Sequence, residues 1–82
     1  MTRKGLHYIH EHTFHNRQEI SRSKICGCIA CCAIFSATEV GDYIDDYQTA
    51  LCPRCMVDAV IGDAAGYKLS KNFLAELNQT FF

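Results

Sequence analysis

Cys28-x2-Cys31 and Cys52-x2-Cys55, separated by 20 residues, write the pattern C-x2-C-x20-C-x2-C into a chain of 82 residues. No other feature constrains the fold as strongly. A two-residue spacer lets a tight knuckle turn aim two sulfurs at one point about 2.3 Å from each, and two knuckles complete the tetrahedron of a four-cysteine zinc site. A chain this short builds one hydrophobic core, and below ~80 residues such a core rarely supplies more than ~3–5 kcal/mol, so a metal staple answers a physical need. The spacing therefore predicts one structural zinc ion held by Cys28, Cys31, Cys52 and Cys55.

The cysteine chemistry depends on compartment. No apolar run approaches the ~18 residues that cross a bilayer, and the first thirty residues carry five Lys/Arg and four His without the apolar middle of a signal peptide. A soluble, cytoplasmic protein with no membrane partner is expected, where thiols persist as thiols or metal ligands rather than as disulfides. Cys26 and Cys32 are left over, and they keep the ligand set open: Cys26 with Cys28, or Cys28 with Cys32, are alternative pairs. The preferred pair is Cys28 and Cys31, with Cys32 a small buried side chain and Cys26 a thiol flanking the knuckle. A redox dithiol would need a βαβ pattern around a single C-x-x-C, which this sequence lacks.

Net charge is −1, unevenly placed. Residues 1–24 carry five Lys/Arg against Glu11 and Glu19, a local +3, whereas residues 25–82 carry three basic against seven acidic side chains, a local −4. Four thiolates on one zinc make the second part more negative still. Nucleic acid could therefore be met only through Arg3, Lys4, Arg17, Arg22 and Lys24. The expected organisation is an N-terminal helical segment, 1–24, joined to a four-cysteine zinc-binding domain, 25–82, in one compact unit.

Local signals give the elements. Leu6, Ile9, Thr13 and Ile20 share one side of a helical wheel and predict a helix over 5–22. A short strand is expected at Ala33–Phe35, then a capping box, Ser36-Ala37-Thr38-Glu39, opening a helix whose apolar stripe is Val40, Tyr43, Ile44 and Tyr47. Asp42, Asp45 and Asp46 would form its solvated face. Thr49-Ala50-Leu51 reads as a strand, and Cys52-Pro53 as its junction with a helix bearing Met56, Val57, Val60 and Ile61, whose N-terminus would favour thiolate. Gly62 to Gly66 reads as a tight loop, and Ser70 as the cap of a C-terminal helix carrying Phe73, Leu74, Leu77 and Phe81, with Leu69 and Leu74 placed as a staple. The sum is a small α+β zinc-stabilised domain with a treble-clef or zinc-ribbon-like core between an N-terminal and a C-terminal helix.

Several runs of residues carry a resemblance: Cys26-Gly27-Cys28-x-x-Cys31, Phe35, Glu39-Val40-x-x-Tyr43-Ile44-Asp45, Thr49-Ala50-Leu51-Cys52-Pro53-x-Cys55-x-x-Asp58-x-Val60-Ile61-Gly62-Asp63, and Gly66-Tyr67. Over residues 16–82, with Asn16-Arg17 and Ser23 matching more loosely, the chain resembles a family of small bacterial zinc-ribbon-like cytoplasmic proteins of unknown function. It departs from that family at Cys32, where a bulky apolar residue is expected, and at Met56, where glycine is usual. The resemblance implies a zinc fold and the cytoplasm, and no activity.

His12, His15 and Glu19 would share a helical face, read as exposed polar residues rather than a second metal site. Asp58 is expected to accept backbone N–H groups near the second knuckle. Treble-clef nucleases need histidines beside the zinc, and none follows His15. Since no nucleophile, base and oxyanion donor converge, the expected function is a non-enzymatic zinc-binding interaction module for a protein partner or a second copy, such as a small regulator or a phage-type inhibitor. Nucleic-acid binding and thiol redox sensing are the alternatives. Tyr43/Tyr47, Phe81/Phe82 and the N-terminal helix are expected to supply apolar surface that an assembly would cover.

Overall fold

Paired strands fill the middle of the chain, where the sequence suggests two helices. The computed structural model describes residues 3–82, with side chains from Gly5 onward. The elements run α1 (Arg3–His10), a 3-10 turn (Glu11–Thr13), α2 (Arg17–Ser21), β1 (Ile25–Cys28), β2 (Ile34–Ser36), a 3-10 turn (Ala37–Glu39), β3 (Tyr43–Ile44), β4 (Thr49–Ala50), β5 (Val60–Gly62), a 3-10 turn (Asp63–Ala65) and α3 (Lys71–Phe81). An antiparallel sheet in the order β2-β1-β5 holds the centre, and β3-β4 is a separate hairpin. The radius of gyration, 11.2 Å, is close to the ~12 Å of a single folded body of this length.

β1 lies between two partners, with Cys26 opposite Phe35 on one side and Gly62 on the other. Val60 and Ile61 are both buried, so β5 is covered on both faces. α3 packs across β1 at Gly27, where a Cβ would stand 2.8 Å from Leu74 Cδ1. Only glycine permits that approach. The core gathers Leu6 and Ile9 of α1, Ile20 of α2, Cys26, Ile29, Phe35 and Ile61 around the sheet, and Leu74 and Leu77 of α3.

The helix expected over 5–22 is broken at 14–16. Phe14 is extended, His15 is left-handed (φ 46), and the break turns Asn16 inward, where it is buried. Its Nδ2 donates to the carbonyls of Val60 (2.7 Å) and His12 (2.9 Å), and its Oδ1 accepts from the Ala50 N–H (3.1 Å). Satisfying three backbone groups, two of them buried, outweighs the few helical hydrogen bonds given up. The His15 N–H also donates to Thr49 Oγ1 (3.0 Å), tying the segment to β4.

The helix expected after Ser36 does not form beyond one 3-10 turn. The capping box itself is present: Ser36 Oγ accepts from the Thr38 N–H, and Glu39 accepts from the Ser36 N–H. Gly41, with its high backbone entropy, and the poor helix formers Val40, Asp42 and Asp45 then follow, and Val40 is already extended (ψ 117). Tyr43 pairs with Ala50 and Ile44 with Thr49, and the turn between them holds Asp45, Asp46 and Tyr47 at φ 54, 58 and 65. The hairpin returns the chain toward the first knuckle, which a straight helix of that length would not.

The helix expected over Met56–Ile61 is also absent: a turn and β5 replace it, and the second cysteine pair opens no helix. β1 itself carries no clear strand signal in the sequence, and the strand at Ala33–Phe35 is displaced by one residue. α3 forms as expected, with Ser70 Oγ accepting from the Phe73 N–H at 3.1 Å. Gly66 closes the preceding 3-10 turn in the left-handed conformation (φ 98).

Candidate metal centre

Each cysteine pair is shaped by the same pair of backbone hydrogen bonds. In the first knuckle the Cys32 N–H donates to the Cys28 carbonyl (2.8 Å) and the Cys28 N–H to the Ala33 carbonyl (2.9 Å); in the second, Met56 N–H to Cys52 (2.9 Å) and Cys52 N–H to Val57 (3.0 Å). The residue after each pair is left-handed, Cys32 at φ 62 and Met56 at φ 63. They are the same structural position in two equivalent turns.

The knuckles face each other. The sulfurs of Cys28, Cys31, Cys52 and Cys55 all lie within 4.8 Å of one another. Cys28 Sγ is 3.6 Å from Cys55 Sγ and Cys31 Sγ is 3.8 Å from Cys52 Sγ. A tetrahedron with metal–sulfur bonds of ~2.3 Å has edges of about 3.8 Å, so the four sulfurs are spaced to hold one metal ion. Backbone amides point at two of them, Cys31 N–H at Cys28 Sγ (3.5 Å) and Arg54 N–H at Cys52 Sγ (3.3 Å).

The electrostatics ask for a cation. Burial raises the Cys28 thiol above its ordinary pKa, and the amides of Cys31 and Ala30 only partly offset it. Burial likewise raises Cys55 despite the Val57 amide. At Cys52 burial is the largest influence and opposes ionisation, but the amides of Cys55 and Arg54 and the neighbouring Cys55 and Cys28 thiols together bring the pKa below the ordinary value. Ionising all four sulfurs at this spacing would gather four like charges, which a multivalent cation at their centre offsets. With four protein ligands the coordination sphere closes, as in structural sites.

α3 supports the first knuckle from behind, a feature that no pattern in the sequence signals. Asn78 Nδ2 donates to the carbonyls of Ile29 and Ala30, both at 3.0 Å, and Lys71 Nζ to that of Cys32 at 3.2 Å. The Ile29 N–H donates to the Ala59 carbonyl (2.9 Å), joining the two knuckles through the chain. An asparagine on a helix has no sequence signature for such a clamp.

The other candidates are placed as follows. Cys26 is wholly buried in the middle of β1, apart from the cluster, and burial with the Asp63 carboxylate nearby pushes its thiol up to about 12. Cys32 is half-buried at the knuckle's end, and neither belongs to the four-sulfur group. His12 Nδ1 meets the Glu19 carboxylate at 2.9 and 3.1 Å, but the break at 14–16 takes His15 away. Among the described residues, the four cysteines are the one set placed to share an ion. Asp58 is exposed and accepts no backbone hydrogen bond, because no helix begins beside it.

Of the basic residues considered for nucleic acid, the side chains of Arg3 and Lys4 lie outside those described. Arg17 donates to the Tyr47 carbonyl (3.2 Å) and lies over the Tyr43 ring (5.2 Å), while Arg22 and Lys24 are exposed. Among the aromatics, Phe81 is half-buried, stacked on His10 at 4.2 Å and edge-on to His7 at 5.0 Å, so it joins α3 to α1. Tyr47 and Phe82 stay exposed, at 68% and 63%. No described helix is long and apolar enough to cross a membrane.

The fold and the cluster define a small α+β domain organised around a four-cysteine site able to hold a metal ion. No family model, curated protein or solved structure matches the chain.

Proposed function

We propose that the protein is a zinc-binding interaction module that performs no chemistry of its own and works by binding another protein. The metal is zinc, its role is structural, and Cys28, Cys31, Cys52 and Cys55 hold it. The observation that carries this reading is the closed four-sulfur set at near-tetrahedral spacing, which offers a metal no open position for substrate or water. Because both ligand pairs lie on knuckles flanking an antiparallel sheet, and neither opens a helix, the core is read as zinc-ribbon-like rather than treble-clef.

Binding a protein is favoured by what remains uncovered. Tyr8, Phe14, Tyr47, Met56 and Phe82 are each more than half exposed on a chain of 82 residues. Exposed aromatic and methionine side chains are the kind enriched at interfaces. Metal analysis of protein purified anaerobically without chelator tests the zinc, with one equivalent per chain expected; a folded protein with clearly substoichiometric zinc overturns the reading.

A further inference from the structure

We propose that the cleft between the end of α1 and the segment leaving the second knuckle is a binding site for a guanidinium group, carried by an arginine side chain of a partner peptide. This inference rests on the protein being a binding module and is independent of which metal the cysteines hold. The cleft encloses about 650 Å³, within the range of pockets that take small ligands. His10, Glu11 and Phe14 come from the N-terminal segment, Asp58 from the second knuckle's exit, and Phe82 from the end of α3.

Its chemistry is one-sided. Glu11 and Asp58 are both exposed, and neither side chain has a hydrogen-bond or ion-pair partner among the described residues. Every other polar side chain in the lining is already engaged: Thr13 Oγ1 donates to the His10 carbonyl (2.8 Å), and the His10 ring stacks on Phe81. The lining therefore carries two unpaired carboxylates and no Lys or Arg, and its one imidazole, His10, has its ring stacked on Phe81. Its apolar walls are two phenyl rings, Phe14 and Phe82, each 63% exposed, with buried Ala59 beneath.

Carboxylates beside exposed rings match a flat cation. A guanidinium stacks on aromatic faces and donates in a fork to a carboxylate, whereas an ammonium is more strongly hydrated and gives up more on leaving water. A neutral apolar group would desolvate both carboxylates without pairing them, and an anion would be repelled. Charge complementarity thus selects arginine among the common side chains.

The test is a titration of the zinc-loaded full chain with acetyl-Gly-Arg-Gly-amide, followed by amide chemical shifts. Saturable shifts centred on residues 10–14, 58–59 and 82 are expected. The citrulline peptide, isosteric but uncharged, should bind about tenfold more weakly, and the lysine peptide should fall between. Combined E11Q and D58N substitutions should remove the preference for arginine over citrulline while zinc content and the remaining spectrum stay unchanged. Phe14→Ala should weaken the arginine peptide without abolishing its charge preference. Equal binding of arginine and citrulline peptides, shifts away from the cleft, or no saturable shift would overturn the proposal. Ethylguanidinium binding as tightly as the peptide would overturn the assignment to a peptide side chain. Since zinc content is read in the same samples, failure here is distinct from failure of the zinc reading.

Discussion

The Asn16 carboxamide donates to the Val60 carbonyl at 2.7 Å, spanning 44 residues of sequence, and through this bond the N-terminal segment is fastened to the central sheet. The same side chain accepts from the Ala50 N–H of β4, so one buried amide joins the N-terminal segment, the hairpin and β5. Asn16→Ala leaves a buried donor, a buried carbonyl and the half-buried His12 carbonyl without these partners and should cost about 3 kcal/mol. Asn16→Asp keeps the acceptor for Ala50 but sets carboxylate oxygens against the Val60 and His12 carbonyls, and should be at least as damaging. Urea unfolding checks both, with faster exchange of the Ala50 amide as the local signature. An unshifted midpoint for either variant contradicts this role.

The ligand set is checked by comparing cysteines. Serine at position 28, 31, 52 or 55 should abolish stoichiometric metal and unfold the chain, since in small domains metal binding supplies much of the folding free energy. Cys26→Ala and Cys32→Ala should each retain one metal per chain. Cys26→Ala empties a small volume in the sheet and should cost about 1 kcal/mol. Metal content and thermal melts of the six variants separate ligands from bystanders.

Chelator and acid should act alike. Bound sulfurs are thiolates, and each must take a proton to leave the metal, so occupancy falls as pH falls and is retained toward neutral pH. In the metal-free chain burial pushes the Cys28 and Cys55 thiols up, so these two take up protons as the metal leaves. Circular dichroism during EDTA treatment and acid titration should lose signal together with metal release. A chelated chain that keeps its melting transition would show that the core stands without the metal.

The clustering of the four cysteines and α3 could be read from the sequence because their signals are short-range: a two-residue spacer defines a knuckle, and Ser70 defines the start of a helix. The centre of the chain could not. Val40, Tyr43, Ile44 and Tyr47 fit a helical stripe, yet the same β-branched and aromatic residues suit a hairpin, and the need to bring Cys52 back to Cys31 decides between them. Val60 and Ile61 followed a similar course, being taken into the sheet by pairing with Cys28 and Gly27. Asn16 and Asn78 each reach a backbone group more than 40 residues away, which no local pattern encodes.

Asn78 also predicts a variant whose effect is on the metal more than on the fold. Removing its amide frees the Ile29 and Ala30 carbonyls at the tip of the first knuckle, where water can reach half-buried Ala30 but not buried Ile29. Asn78→Ala should therefore cost about 1–2 kcal/mol in stability. It should also speed zinc transfer to a competing chelator, because a loosened turn releases Cys28 and Cys31 more readily. Stopped-flow transfer kinetics check this, and an unchanged rate would confine Asn78 to helix packing.

The left-handed residue after the second knuckle supplies a variant that should strengthen the protein. Met56 holds φ 63 with its side chain 53% exposed, so little packing is lost when it is shortened, while its Cβ remains crowded against the backbone. An L-residue in this conformation costs about 1–2 kcal/mol, and glycine avoids that at an entropic cost of about 0.5–1 kcal/mol in the unfolded chain. Met56→Ala keeps the Cβ and should leave stability nearly unchanged. Met56→Gly should exceed Met56→Ala by about 1 kcal/mol in urea unfolding of the zinc-loaded protein, with metal stoichiometry unaltered. The comparison with alanine isolates the backbone from the lost thioether. If Gly and Ala melt together, or Gly is the less stable, the strain relieved at this turn is no larger than glycine's entropic cost and the expectation of a strained knuckle is wrong.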